Sequence, residues 1–267
     1  MPPYNAGPMK LPLFQVDAFA SRRFEGNPAA VVPLEAWLPD AVLQAIAAEN
    51  NLAETAYLVP FGDDYSIRWF TPGVEVPLCG HATLASAWVV LNRMEPGREQ
   101  VTFHSKSGPL KVVRDGERLA MDFPAIAVEP APANAGLEAA LGTKPKALYS
   151  GFQWVAEYET EAQVRSLKPD FGAKALLDVF GVIATAPGEE CDFVSRFFAP
   201  QAGINEDPVT GSAHSRLVPF WARKLNKAKL VARQLSPRGG TLWCELKGER
   251  VVMAGHVAPY LEGTIEV

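Results

Sequence analysis

The chain has 267 residues, enough for one or two domains with a large core of their own. Hydrophobic residues make up 48% and charged residues 21%, the balance of an ordinary globular protein. Lys plus Arg is 25 and Asp plus Glu is 30, and the formal charge of −5 excludes a general nucleic-acid binder, which needs a basic face to displace counterions.

Met1 to Pro8 is rich in Pro and Gly and lacks the apolar stretch of a signal peptide; it reads as an extension, with Met9 an alternative start. Residues 14–19 alternate apolar and polar side chains, as a half-buried strand does, and 29–33 is a second short apolar run. The spacing of Val42, Leu43, Ile46 and Ala47 predicts a helix over 40–48, stopped by Asn50-Asn51 because Asn tolerates left-handed dihedrals. Residues 56–59 and 65–71 read as strands, and 82–91 as a helix too hydrophobic all round to lie on a surface. A meander follows over 101–104, 110–114 and 119–123, with Asp115-Gly116 as a hairpin turn.

Residues 124–136 carry Pro and Ala with little periodicity. They place a domain boundary at about residue 128, within about ten residues, giving domains 1–128 and 129–267. The second half offers a strand over 149–157, helices over 161–167 and 171–180, and strands over 182–186 and 193–198. A helix follows over 211–225, then a strand-rich end with turns at Gly239-Gly240 and Gly248. Cys79, Cys191 and Cys244 are an odd, sparse set, not a secreted disulfide framework. No apolar run approaches the roughly 20 residues that cross a bilayer, so the expected address is the cytoplasm, with no membrane partner.

The halves repeat one another. Arg68-Trp69-Phe70-Thr71-Pro72 matches Arg196-Phe197-Phe198-Ala199-Pro200. Each is followed by acid (Glu75; Glu206 and Asp207) and then by a Gly that opens a buried helix: Gly80-His81-Ala82-Thr83 and Gly211-Ser212-Ala213-His214. From Pro to Gly the spacing is eight residues in one half and eleven in the other. This is read as a duplicated α+β unit, whose two helix starts would face an inter-domain cleft.

A helix N-terminus carries unpaired N–H groups and positive partial charge, so Gly80 and Gly211 either admit a carboxylate or enolate to the backbone or serve only turns and packing. Glu54 lies between a helix end and a strand. Partial desolvation would suit it to proton transfer; the plainer reading is a solvated loop carboxylate or a cap. Asp207 is a candidate site acid or an Asx turn. His81, at a helix start, is a donor or proton shuttle or a satisfied structural residue; His214, one turn into its helix, reads as packing. Cys79 with His81 is half of a metal site that no second pair completes at finger-like spacing, so no metal is expected. Nucleotide, dinucleotide, serine-hydrolase and zinc-protease motifs are absent from the sequence, and no cofactor is expected.

In order along the chain come Phe14-Gln15-Val16-Asp17-Ala18-Phe19, Phe24-Glu25-Gly26-Asn27-Pro28-Ala29-Ala30-Val31, Asn51-Leu52-Ala53-Glu54-Thr55 and Arg68-Trp69-Phe70-Thr71-Pro72. Then follow Cys79-Gly80-His81-Ala82-Thr83-Leu84-Ala85, Asp207-Pro208-Val209-Thr210-Gly211-Ser212-Ala213-His214, Gln234-Leu235-Ser236-Pro237-Arg238-Gly239-Gly240 and Val251-Val252-Met253-Ala254-Gly255. The ordered set resembles the phenazine-biosynthesis PhzF-like family. The resemblance implies the diaminopimelate-epimerase-like fold: two similar α+β domains, each a curled, mostly antiparallel sheet around a central helix, with the active site between them. It implies Glu54 as acid/base, His81 and Asp207 beside it, substrate held by the backbone around Gly211 and Ser212, and a homodimer; Gly80 is a substrate-binding candidate from its place at the first helix start. Its two-thiol relatives carry Cys at both helix starts, and this chain has one only at the first. The family often has Ser before the Glu, where this chain has Ala53, which bears on the substrate.

The expected activity is a cofactor-independent isomerase acting by proton transfer on a small carboxylated or conjugated metabolite. The alternatives are a catalytically silent small-acid-binding protein on the same fold, or a racemase or epimerase using Cys79 with Glu54 or Asp207 opposite.

Overall fold

The computed structural model describes residues 9–267; the N-terminal extension read at Met1 to Pro8 lies outside the described residues. The chain forms two compact units. One runs to Asp122 and also takes in Ala254–Val267; the other is Phe123–Met253.

In the first unit, β1 (Lys10–Ala18) pairs antiparallel with β2 (Asn27–Pro33). The helix α1 (Asp40–Asn50) then carries the chain across to β3 (Glu54–Phe61), which lies parallel to β2 with Ala29 beside Glu54. A parallel pair needs such a crossover, because its strands start at the same end. Leu43, Ile46 and Ala47 of α1 are buried as the spacing predicts, in a cluster with Leu11, Leu13, Val32, Tyr57 and Phe70. The helix ends at Asn51, whose φ of 49° is left-handed.

β4 (Asp64–Phe70) returns antiparallel to β3, and the short β5 (Glu75–Val76) pairs with it. A second crossover follows, α2 (Gly80–Val89) with a closing π-helical turn at Val90–Met94, and it delivers β6 (Gln100–Ser105) parallel to β4. The helix starts two residues before the apolar run at 82, because His81 is buried within it and only Gly80 and Trp88 are not buried. It packs against β1, β2, β3, β6 and β7, so its uniform hydrophobicity reflects being wrapped by sheet. β7 (Gly108–Asp115) and β8 (Arg118–Pro124) complete the predicted meander, with Gly116 at φ 62° in the hairpin.

The second unit repeats this plan strand for strand. β9 (Glu129–Ala131) pairs with β10 (Ala147–Ser150), after α3 (Ala135–Leu141) between them. The single strand predicted over 149–157 is instead a hairpin of β10 and β11 (Trp154–Glu157), broken at Gly151. β11 lies parallel to β12 (Val182–Pro187), with α4 (Glu161–Ser166) in the crossover. The helix predicted over 171–180 shrinks to α5 (Lys174–Leu177). The Asp170 side chain takes the Gly172 N–H (3.0 Å), a local turn that competes with helix.

β13 (Phe193–Ala199) pairs antiparallel with β12 and with β14 (Ile204–Asp207), and parallel with β15 (Lys229–Gln234) across α6 (Gly211–Leu225). β16 (Gly240–Lys247) pairs with β15, and β17 (Arg250–Gly255) follows. The larger Pro-to-Gly spacing of this unit contains a 3-10 turn at Pro200–Ala202. The duplicated, mostly antiparallel α+β architecture expected from sequence is thus the observed one. The last strand, β18 (Val257–Glu266), returns to the first unit and pairs with β1 along its length.

Two polar devices recur with the repeat. Arg68 grips Glu75 through Nε and Nη2 (2.8 Å each), and Arg196 grips Glu206 through the same two nitrogens (2.7 and 2.9 Å). Each guanidinium lies over the Phe two residues on, Phe70 at 5.0 Å and Phe198 at 4.9 Å. The long helix α6 contains Pro219, which has no N–H for the Ser215 carbonyl. Ile126 N–H donates to that carbonyl instead, at 2.9 Å.

Candidate active site

Three separate segments of the first unit bring their side chains together. Glu54 opens β3, Asn27 opens β2, and Cys79 and His81 flank Gly80 at the start of α2. His81 Nε2 lies 3.1 Å from Glu54 Oε2, with the two side chains 7% and 14% exposed. Neither atom has a hydrogen-bond partner of good geometry among the described residues, so the contact is close but not aligned. On its other side, His81 Nδ1 lies 3.2 Å from Asn27 Nδ2 and 3.6 Å from Cys79 Sγ. In the neutral imidazole, with the Asn27 amide donating to Nδ1, the ring hydrogen sits on Nε2, facing Glu54; the imidazolium carries hydrogen on both nitrogens.

Burial opposes a charge on His81, but Cys79 in its thiolate form and the Glu54 carboxylate outweigh it and hold the imidazole well above its ordinary pKa. Burial pushes the Cys79 thiol up.

Cys79 is the N-cap residue of α2 and makes no side-chain cap, so its helix's first N–H groups are not satisfied by it. The matching N-cap of α6 is Thr210, again without a side-chain cap. By helix position the counterpart of Cys79 is Thr210. Its hydroxyl donates to Asp207 at 2.5 Å. A two-thiol arrangement would need a Cys at that position.

Asp207, Gly211 and Ser212 belong to the second unit. There Gln234, 1% exposed, accepts from Thr210 N–H (2.9 Å) and donates to the Asp207 carbonyl (2.8 Å), locking the turn before α6. Ser212 is exposed at the helix start, and Gln153 Nε2 donates to its hydroxyl at 2.9 Å. Sequence reasoning gave Gln234, Asn27 and Gln153 no role. Gln234 and Asn27 stand inside the motifs that carry the family resemblance, but their partners come from other segments.

Among the described residues, Glu54, Cys79 and His81 each offer a ligand atom, all within 4.8 Å of one another. The half-site read from Cys79 and His81 thus gains a third group from a distant strand. No helix among the described residues is long and apolar enough to cross a membrane.

His214 is packing, as its position suggests: it is fully buried beside Phe193, and Nδ1–H donates to the Thr210 carbonyl at 2.8 Å. Burial pushes its pKa down to about 4. An unfolded His takes a proton near 6.5, so between about 6.5 and 4 the unfolded chain binds a proton that the folded one refuses. Stability should therefore fall by up to about 3 kcal/mol as pH drops through that window. His214→Gln should flatten this part of a urea-midpoint profile against pH; an unchanged slope would refute the assignment.

The repeat, the parallel crossovers and the buried helices place the chain among proteins of the epimerase-type fold. A hydroxyproline epimerase from Agrobacterium vitis shares that fold, with a TM-score of 0.62 at 13% identity over 97% of this chain and 93% of that one. The chain belongs to the phenazine biosynthesis-like protein family, which it matches over residues 16–263. It is 52% identical to an uncharacterized isomerase of Pseudomonas aeruginosa, over 97% of this chain and all of that protein. A crystal structure of a PhzF-family phenazine biosynthesis protein from Enterococcus faecalis is 48% identical, with a TM-score of 0.94 over 97% of this chain and 100% of that one.

Proposed function

We propose that this protein is a cofactor-independent isomerase that moves a proton on a small carboxylated or conjugated metabolite, with Glu54 as the acid/base. The observation that carries the reading is the Glu54–His81 pair at the uncapped start of α2. One Glu54 oxygen is held against His81, while 14% exposure leaves the side chain within reach of a reacting carbon. The carboxylate takes a proton from carbon next to a carbonyl or double bond and returns it at another position, so no redox partner is consumed. Negative charge develops on the substrate as the proton leaves. Fixed donors at the helix start and the His81 N–H stabilise that charge without reorganising. Asp207, with His81, is assigned to orienting the substrate or relaying the proton, and Gly80, Gly211 and Ser212 to holding the substrate, on the family resemblance and on the match of the two helix starts.

The isomerase names of the relatives and the epimerase-type fold support this chemistry. The test is a screen in heavy water with amino acids and cyclic or unsaturated carboxylic acids, read by NMR and mass spectrometry. Label or a shifted double bond that requires Glu54 is the expected result. Tight binding of a panel acid without label or conversion would favour the small-acid-binding alternative. Cys79→Ala should retain activity; loss of turnover there, with protection from alkylation by substrate, would favour the thiol-based racemase.

A further inference from the structure

Arg216 is the one Lys or Arg that is buried among the described residues, at 7% exposure. It stands one turn into α6, four residues after Ser212, and a helical side chain leans toward its helix's N-terminus. Its Nη1 donates to Gln153 Oε1 (3.0 Å) and to the Ser212 carbonyl (3.1 Å). Gln153 is 2% exposed and passes its own amide N–H to the Ser212 hydroxyl, so one glutamine braces both groups.

The guanidinium has no carboxylate among the described residues. Burial alone acts on it, pushing its pKa down with no anion opposing. Arg68 and Arg196, with side chains 16% and 11% exposed, behave otherwise: each spends Nε and Nη2 on one carboxylate. On Arg216, Nε and Nη2 are the nitrogens without an acceptor among the described residues, and they are not among the sealed polar atoms. The fork that binds Glu75 and Glu206 elsewhere in this chain is thus open at α6. Further donors stand at the same helix start: the hydroxyl of Ser212, which accepts from Gln153 and keeps its hydrogen to give, and the first-turn N–H groups. A buried cation beside the positive end of a helix is costly unless an anion joins it.

We propose that Arg216, braced by Gln153, is a specificity-determining residue that binds a carboxylate of the substrate through Nε and Nη2. This rests on the reading that the Gly211–Ser212 end of α6 holds substrate. It selects substrates with a carboxylate over neutral analogues, and the planar two-nitrogen fork favours carboxylate over phosphate.

The test titrates malonate, and inorganic phosphate in parallel at matched ionic strength, into wild type, Arg216→Met, Arg216→Lys and Glu54→Gln. Melting temperature and the amide NMR shifts of Gly211 and Ser212 are the readouts. Malonate is expected to bind wild type and Glu54→Gln alike, more tightly than phosphate does. Arg216→Met should bind it at least about tenfold more weakly, with Arg216→Lys in between because an ammonium has no fork. Without ligand, Arg216→Met should melt no lower than wild type, since it removes a charge that lacks a counter-ion.

Wild type indifferent to malonate, phosphate bound more tightly than malonate, or undiminished binding by Arg216→Met would each overturn the proposal. If Arg216→Met does not fold, Arg216→Lys binding malonate as wild type does overturns it. Because Glu54→Gln keeps this site, a failed isomerase reading leaves the titration intact, and the two failures are told apart.

Discussion

Glu54→Gln should lower exchange of carbon-bound hydrogen with solvent by about 10²- to 10⁴-fold on any substrate found, the usual worth of a positioned general base. The amide keeps the size of the carboxylate but cannot take a proton at neutral pH. Glu54 Oε2 makes no well-formed hydrogen bond, so the exchange to amide removes no strong bond from the fold. The melting temperature should therefore stay near that of wild type, which separates a lost base from a lost structure. His81→Asn should cost less, because it removes a neighbour of the base and leaves the base. Wild-type label incorporation by Glu54→Gln would refute the assignment of Glu54.

The second large effect concerns the repeated Arg–Glu pairs. Arg196→Met leaves the Glu206 carboxylate, 13% exposed, without its bidentate partner. Breaking a largely enclosed pair from one side costs about 3 kcal/mol, because the stranded charge has already been taken from water. The same substitution in the first unit, Arg68→Met, should cost about half as much. There Glu75 keeps Lys106, whose ammonium lies 2.8 Å from both carboxylate oxygens. Urea unfolding of the two variants checks the ranking, and Arg196→Met with Glu206→Leu should recover much of the loss. Equal losses from the two arginines would show that Lys106 does not compensate Glu75.

Acid probes the first pair independently. Arg68, with Lys106, holds the Glu75 carboxyl down at about 2 against a free value of 4.5. Its contribution is complete above about 4.5 and is lost as pH falls toward 2, opposite in direction to any group whose folded pKa is raised.

Local chemistry explains why much of the fold could be read along the chain. Helix α1 shows its buried stripe in Leu43, Ile46 and Ala47, and its end in a left-handed Asn. Such features depend on near neighbours, so a short window contains them. The 149–157 and 171–180 segments were misread for the opposite reason. A nine-residue stretch that mixes apolar and polar side chains fits one strand or a tight hairpin, and only the partner strands separate the two. The helical stretch yielded to a side-chain turn at Asp170, a competition that hydrophobic spacing does not register.

The duplicated α+β plan, the two buried helices with glycine at their starts, membership of the family, and Glu54 and His81 as candidate site residues are all legible along the chain. These follow from short motifs in a set order, which survive without knowledge of distances. It takes the folded chain to reveal that Asn27 and Cys79 share the same ring nitrogen of His81 and that Arg216 lies buried against Gln153. Those contacts join residues up to 63 positions apart, through a parallel crossover and a strand end. Their energies come from burial and missing partners, quantities that exist only once the chain has closed around them.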